Sequence, residues 1–292
     1  MKYIIHHGDA DGRCAAALAA EGAKAPDVKY YELQYGEEPP WNEFMLFEEE
    51  RDEMWLVDFS FSEPLMQKLR GYCGEFYWID HHYTALRDLI YFDIGGDDGY
   101  KGLPGLRRLG TGACKLTWQF LQSHSGCLGA APKFVEYISD YDVGRNQWPE
   151  SKYLVTYLAD MAFEVEEYQI MLDTSDLDFM LKEGRKMYRT NLSRYRRILA
   201  QYGYKTTRFD VFAKRPLKSI SVNYPGNGHV GRAGKEMGYQ IVHCYNDFMR
   251  GGALIRKHHV YTDDPDINLG VFAAMHGGGG GHRGAAGWEE IL

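Results

Sequence analysis

The chain has 292 residues, a formal net charge of −8, and charged and hydrophobic fractions of 25% and 45%, the balance of a globular protein with enough core for one large domain or two modest ones. That acidic balance argues against a grip on long nucleic acid, which calls for a basic surface, and no apolar run reaches the length of a membrane span or a signal peptide. Five cysteines, Cys14, Cys73, Cys114, Cys127 and Cys244, odd in number and never spaced CxxC, read as reduced thiols of a cytoplasmic protein rather than as a disulfide framework or a zinc site.

The first half alternates short apolar runs with helical patterns. Lys2 to His6 reads as a buried strand and the alanine-rich run Gly12 to Glu21 as a helix. Val28 to Leu33, Met54 to Phe59 and Phe76 to Asp80 are further strands. Thr111 to Gln122 reads as a helix with Thr111 as its N-cap, and Pro132 to Tyr141 as another. Strand and helix in alternation predict a parallel sheet with helices on both faces.

From Ser151 to about Gly203 the pattern is helical throughout, and Ser175 to Tyr202 reads as one long helix. Its face carries Lys182, Arg185, Lys186, Arg189, Arg194, Arg196 and Arg197, which reads first as the solvated side of a linker helix. Strands return at Thr207–Ala213, Ser219–Asn223, Gln240–Tyr245 and Gly252–Arg256, and a short helix follows near Ile267–Met275. The chain then runs through Gly277 to Gly281 into His282-Arg283-Gly284-Ala285-Ala286-Gly287. The expected organisation is therefore an α/β catalytic domain over 1–150, a helical linker over 151–204 and a smaller α/β domain over 205–292.

Histidine and aspartate cluster where these elements end. His7-Gly8-Asp9-Ala10-Asp11-Gly12 follows the first strand, Asp58 ends MWLVDF, Asp80-His81-His82 ends FYWI, and Asp140 and Asp142 lie in YISDYD. In an open parallel sheet the carboxyl edge of the strands is where sites form. His7 and Asp9 can converge on one cation, Asp11 can turn toward a second, and a carboxylate such as Asp58 can bridge two. Mixed imidazole and carboxylate donors suit Mn²⁺, Mg²⁺, zinc or iron rather than a thiolate-preferring metal. A single Asp at a strand end is commonly a cap or turn residue. Clusters ending successive elements of one sheet carry the metal reading. His6 points away from His7 by strand alternation and reads as structural, and His258-His259 reads as surface.

HGDADG (His7–Gly12), VDFS (Val57–Ser60), IDHH (Ile79–His82) and YISDYD (Tyr137–Asp142), in that order, resemble the motifs of the DHH phosphoesterase superfamily, and Gly277–Gly287 resembles the glycine signature of its companion DHHA1 domain. The resemblance implies a DHH domain holding two divalent cations, usually Mn²⁺ with Mg²⁺ as the alternative, and a DHHA1 domain that binds substrate. Carried over, it implies His7 and Asp9 on the first metal, Asp11 and His81 on the second, and Asp58 as the bridge. It implies Asp140 as the last ligand, with Asp142 as runner-up, Asp80 orienting His81, and His82 beside the nucleophile or a phosphate oxygen. Gly279, Gly280, Gly281, His282 and Arg256 would bind substrate phosphate. Glycine-rich residues 91–110 match nothing in the family pattern.

The expected activity is hydrolysis of phosphodiester bonds in a short oligonucleotide or linear dinucleotide. The alternatives are an exopolyphosphatase or pyrophosphatase acting on phosphoanhydrides, a nucleotide-binding protein without turnover, and an RNA-binding accessory module. The expected partner is a phosphate-ester substrate, with no membrane, and a homodimer is compatible with the pattern.

Overall fold

The computed structural model describes residues 1–21, 27–44, 52–89, 103–125, 129–174, 176–210, 215–276 and 279–292. Cys127, Gly277, Gly278, the end of the expected strand at Ala213 and much of the glycine-rich segment 91–110 lie outside them. The chain divides into two compact units, Met1–Arg185 and Lys186–Leu292.

The first unit is built on four parallel strands in the order β2-β1-β3-β4: β1 (Lys2–His7), β2 (Val28–Leu33), β3 (Glu53–Val57) and β4 (Glu75–Ile79). Helix α1 (Ala10–Glu21) follows β1, and its alanines are buried almost without exception. Their short side chains let its backbone pack closely on β1 and on a later helix. The short α2 (Trp41–Phe44) precedes β3. Helix α3 (Glu63–Arg70) joins β3 to β4, and α4 (Tyr83–Asp88) follows β4. Then come α5 (Ala113–Ser125), α6 (Lys133–Asp142), α7 (Ser151–Met161) and α8 (Val165–Thr174).

Tyr3, Ile5, Met54, Leu56, Phe59, Met66, Leu69 and Trp78 form one core face. Full burial of each contributes about 1.5–3 kcal/mol. Lys2 is also fully buried: its Nζ donates to the Ala19 carbonyl and lies 4.1 Å from the Trp55 ring centroid. Burial lowers its pKa to about 8.

The chain goes from β1 to β2 on one side and then returns to pair β3 against the other side of β1. Strand order therefore reverses beside β1, and the carboxyl ends of β1 and β3 flank the crevice where parallel sheets place their sites.

Helix α9 (Leu177–Tyr202) runs across the residue at which the two units divide. The second unit has six strands in the order β5-β6-β7-β8-β10-β9: β5 (Tyr204–Asp210), β6 (Arg215–Asn223), β7 (Ile241–Arg250), β8 (Ala253–Tyr261), β9 (Gly280–His282) and β10 (Ala285–Ile291). Among the described residues of this unit, only β6 and β7 pair in parallel. Two helices, α10 (Gly228–Glu236) and α11 (Leu269–Ala274), complete it. Asn227 caps α10 by accepting from the His229 and Val230 amides.

Two local expectations are corrected. Thr111 does not cap α5, because that helix begins at Ala113 and the Asp11 carboxylate accepts its first amides. His258 is not at the surface: it is 8% exposed, with Nδ1 2.9 Å from His243 Nε2 and its ring stacked on Trp288 at 4.6 Å.

Candidate metal centre

Three strand ends and one helix end of the first unit converge. Beyond β1, His7 Nδ1 is 2.9 Å from Asp9 Oδ2, and Asp9 Oδ1 accepts the Gly12 amide at 3.0 Å. Asp9 thus caps α1 while holding the imidazole. Asp11, in the first turn of α1, accepts the Cys114 amide at 3.1 Å on one oxygen and the Ala113 amide on the other. Its Oδ2 lies 3.6 Å from His81 Nε2.

Asp58 ends β3 in a left-handed conformation with φ 56°, 1% exposed. Its Oδ1 is 3.1 Å from His81 Nε2 and 3.8 Å from His82 Nδ1, and its Oδ2 is 4.0 Å from His7 Nδ1. A non-glycine residue held there is strained, and such strain collects at functional sites. The donor groups His7–Asp9–Asp58, Asp11–Asp58–His81 and Asp58–Asp80–His82 each fit within 4.8 Å, so Asp58 belongs to all three.

At the end of β4, Asp80 Oδ1 accepts from the His81 amide at 2.6 Å, the His82 amide at 3.0 Å and His82 Nδ1 at 2.8 Å. The carboxylate grips the His82 ring and the His81 backbone amide, and its charge also acts on the His81 imidazole.

Asp140 and Asp142 lie in different surroundings. Asp140 accepts from the Gln147 and Trp148 amides at 2.8 and 3.1 Å and from Ser151 Oγ at 2.8 Å, which commits both oxygens to the turn that leads into α7. Asp142 instead places Oδ2 3.2 Å from His81 Nε2.

The electrostatics follow from burial and crowding. Burial raises Asp58 well above the usual carboxylate range, and neighbouring Asp9 and Asp11 raise it further. Burial and Asp142 push Asp11 up to about 6. Asp142 is raised by burial against the opposing pull of His81. For His82, burial lowers the pKa, but Asp80 and Asp58 outweigh it and carry it to about 9. Burial would raise Asp80, yet His82 holds it low.

The residues fit the binding of a divalent cation. Asp58 Oδ2 and Asp142 Oδ2 are buried and accept no hydrogen bond from the described residues, an arrangement whose desolvation cost a cation offsets. Oxygen and imidazole donors without thiolate suit Mn²⁺ or Mg²⁺. His6 stands apart, buried, with Nδ1 donating to the His7 carbonyl at 2.9 Å.

Tyr35, which no sequence signal marked, joins this edge from the turn beyond β2. Its ring lies 4.7 Å from Phe59, 5.5 Å from His7 and 5.8 Å from His82.

In the second unit, Arg256 is engaged by Asp247 through both Nε and Nη2, at 2.7 and 2.8 Å. Gly280, Gly281 and His282 form β9 and pair with Gly287, Ala286 and Ala285. A side chain at Gly281, with φ 134°, would meet the Ala285 carbonyl at 2.6 Å, and one at Gly279 would meet the Ala273 carbonyl at 2.3 Å. Close packing of this hairpin therefore accounts for both glycines.

No family model matches the chain. An uncharacterized protein of Acanthamoeba polyphaga mimivirus is 23% identical over 241 residues, which are 80% of this chain and 52% of the viral protein. RecJ from Thermus thermophilus, solved in complex with Mn²⁺, superposes with a TM-score of 0.53 at 16% identity, covering 98% of this chain and 49% of RecJ. The pGpG-specific phosphodiesterase PggH from Vibrio cholerae gives a TM-score of 0.46 at 12% identity, over 100% of this chain and 92% of that one. The chain thus spans about half the length of the viral relative and of RecJ. In fold the chain is similar to RecJ.

Proposed function

We propose that the chain is a metal-dependent phosphoesterase that hydrolyses phosphodiester bonds of short oligonucleotides or linear dinucleotides. The observation that carries this reading is the buried cluster around Asp58, with two carboxylate oxygens that accept no hydrogen bond from the described residues. His7 and Asp9 would hold one cation, Asp11, His81 and Asp142 the other, and Asp58 would be shared. Bound there, two divalent cations, Mn²⁺ first and Mg²⁺ as substitute, would polarise a phosphoryl oxygen and acidify water.

The chain's own groups do the rest. Asp80 keeps His82 protonated at neutral pH, so the imidazolium can donate to a phosphoryl or leaving oxygen. His82→Gln keeps the shape and removes the charge. It should lower kcat about a hundredfold while leaving Mn²⁺ affinity within a few fold. Loss of Mn²⁺ affinity in parallel with kcat would make His82 a ligand instead.

Metal uptake should depend on pH. Asp11 titrates near 6 in the folded metal-free chain against an ordinary 3.8. Between those values the folded state holds more proton than the unfolded one, so metal-free stability falls as pH rises from about 4 to about 6. Mn²⁺ must displace that proton, so the Mn²⁺-dependent gain in Tm should shrink as pH drops through about 6. Melting with chelator and with Mn²⁺ across this range checks it. A gain independent of pH would contradict the assignment of Asp11.

In the second unit, His282, Arg256 and the glycines 279–281 are the proposed phosphate contacts. They are few, Arg256 is tied to Asp247, and the chain is acidic. Efficiency should therefore peak at about two to five nucleotides. The test is a Mn²⁺ assay across short RNA, short DNA, dinucleotides, polyphosphate and pyrophosphate, with a length series at fixed ionic strength. A steady rise of kcat/KM with length would favour a processive exonuclease. Action on polyphosphate or pyrophosphate alone would replace the phosphodiester reading.

A further inference from the structure

We infer that Tyr35 is a stacking platform for a substrate nucleobase beside the metal centre, and that it makes the site selective for nucleotides over base-free phosphates. The inference rests on the phosphoesterase reading of that centre. Its basis is the way the chain presents the ring.

Gln34-Tyr35-Gly36-Glu37 is a tight turn at the carboxyl end of β2. The Glu37 amide donates to the Gln34 carbonyl at 3.0 Å, and the Gln34 amide donates back to Glu37 Oε2 at 2.8 Å. Gly36 has φ 94°, the left-handed value that the third position of a type II turn requires. Tyr35 therefore occupies the second position of a turn closed by two hydrogen bonds, and little ordering entropy remains to be lost when its ring binds something.

Tyr35 is 46% exposed, although its ring stands among buried groups. One face lies on Phe59, itself 1% exposed, with centroids 4.7 Å apart and planes 20° apart. His82 meets it at 77°, edge to face, and His7 is tilted at 44°. Phe59 covers one face of the ring, and Tyr35 still keeps nearly half of its surface open. A flat aromatic face on a rigid turn, within ring contact of two histidines of the centre, suits a planar group attached to the phosphate being cut. A nucleobase is such a group, and stacking accepts any base because each has a π face. Polyphosphate and pyrophosphate offer nothing to place there.

The test compares AMP with ribose 5-phosphate on the Mn²⁺-loaded full chain, by equilibrium binding to wild type, Tyr35→Phe and Tyr35→Ala. Wild type and Tyr35→Phe should bind AMP about tenfold or more tighter than ribose 5-phosphate, and Tyr35→Ala should bring that ratio close to one. A merely structural role for Tyr35 would weaken both ligands together and preserve the ratio, which would overturn the inference. So would a wild-type ratio near one. Turnover of a dinucleotide is measured in parallel. A base-dependent ratio lost in Tyr35→Ala, without turnover by wild type, would sustain the platform and remove the hydrolytic reading. Turnover with an unchanged ratio would do the reverse.

Discussion

Asp58→Asn should lower kcat by about a thousandfold or more and at the same time raise the melting temperature of the metal-free protein. The two effects have one cause. Asp58 is buried, and its carboxyl is pushed up by burial and by the charges of Asp9 and Asp11. Without a cation the folded chain must either desolvate that charge or protonate it, and both cost stability. An amide of the same shape removes the cost, and Asn tolerates the left-handed backbone, φ 56°, that Asp58 adopts. With Mn²⁺ present the order should reverse, because only the carboxylate can be shared by two cations. Scanning calorimetry with chelator and with Mn²⁺, beside an activity assay, reads both effects. Retained activity at saturating Mn²⁺, or an undiminished Mn²⁺-dependent gain in Tm, would take Asp58 out of the centre.

Asp140→Ala and Asp142→Ala should part company in the same pair of assays. Asp140 accepts two amides and a hydroxyl at the entry to α7. Its loss leaves the buried Ser151 hydroxyl and two part-buried amide bonds without their acceptor and should destabilise the fold by about 1–3 kcal/mol. Asp142 faces His81 and accepts no hydrogen bond on Oδ2 from the described residues. Its replacement should leave metal-free stability level or slightly higher and lower kcat about a hundredfold or more. If Asp140→Ala melts like wild type and loses activity, while Asp142→Ala keeps it, Asp140 is the ligand after all.

That pair also shows where sequence stops being readable. Both aspartates sit in the last turn of α6, two residues apart and so about 200° apart around the helix. Which side meets His81 is decided by how α6 packs, and no local pattern encodes that. The strand ends were legible because the apolar runs of β1, β3 and β4 each stop at an Asp or a His: His7, Asp58 and Asp80 stand out in the sequence. Which ring Asp80 grips was not legible, because carboxylate and imidazoles are sequence neighbours and a turn can aim the carboxylate at either. The capping of α5 by Asp11 joins residues about a hundred positions apart and leaves no local signal. Thr111 was the better cap by propensity and lost to that contact. Tyr35 was invisible for a different reason, since a tyrosine in a turn has no periodicity. His258 looked exposed because its burial depends on Trp288, from a strand that the glycine run concealed.

The central claim is that the first unit holds two divalent cations that share Asp58. Equilibrium dialysis of the metal-free full chain against Mn²⁺, followed by metal analysis, tests it most directly. Wild type should take up two Mn²⁺ per chain and Asp58→Asn fewer. A wild-type chain that binds none, or a stoichiometry unchanged by Asp58→Asn, would contradict it.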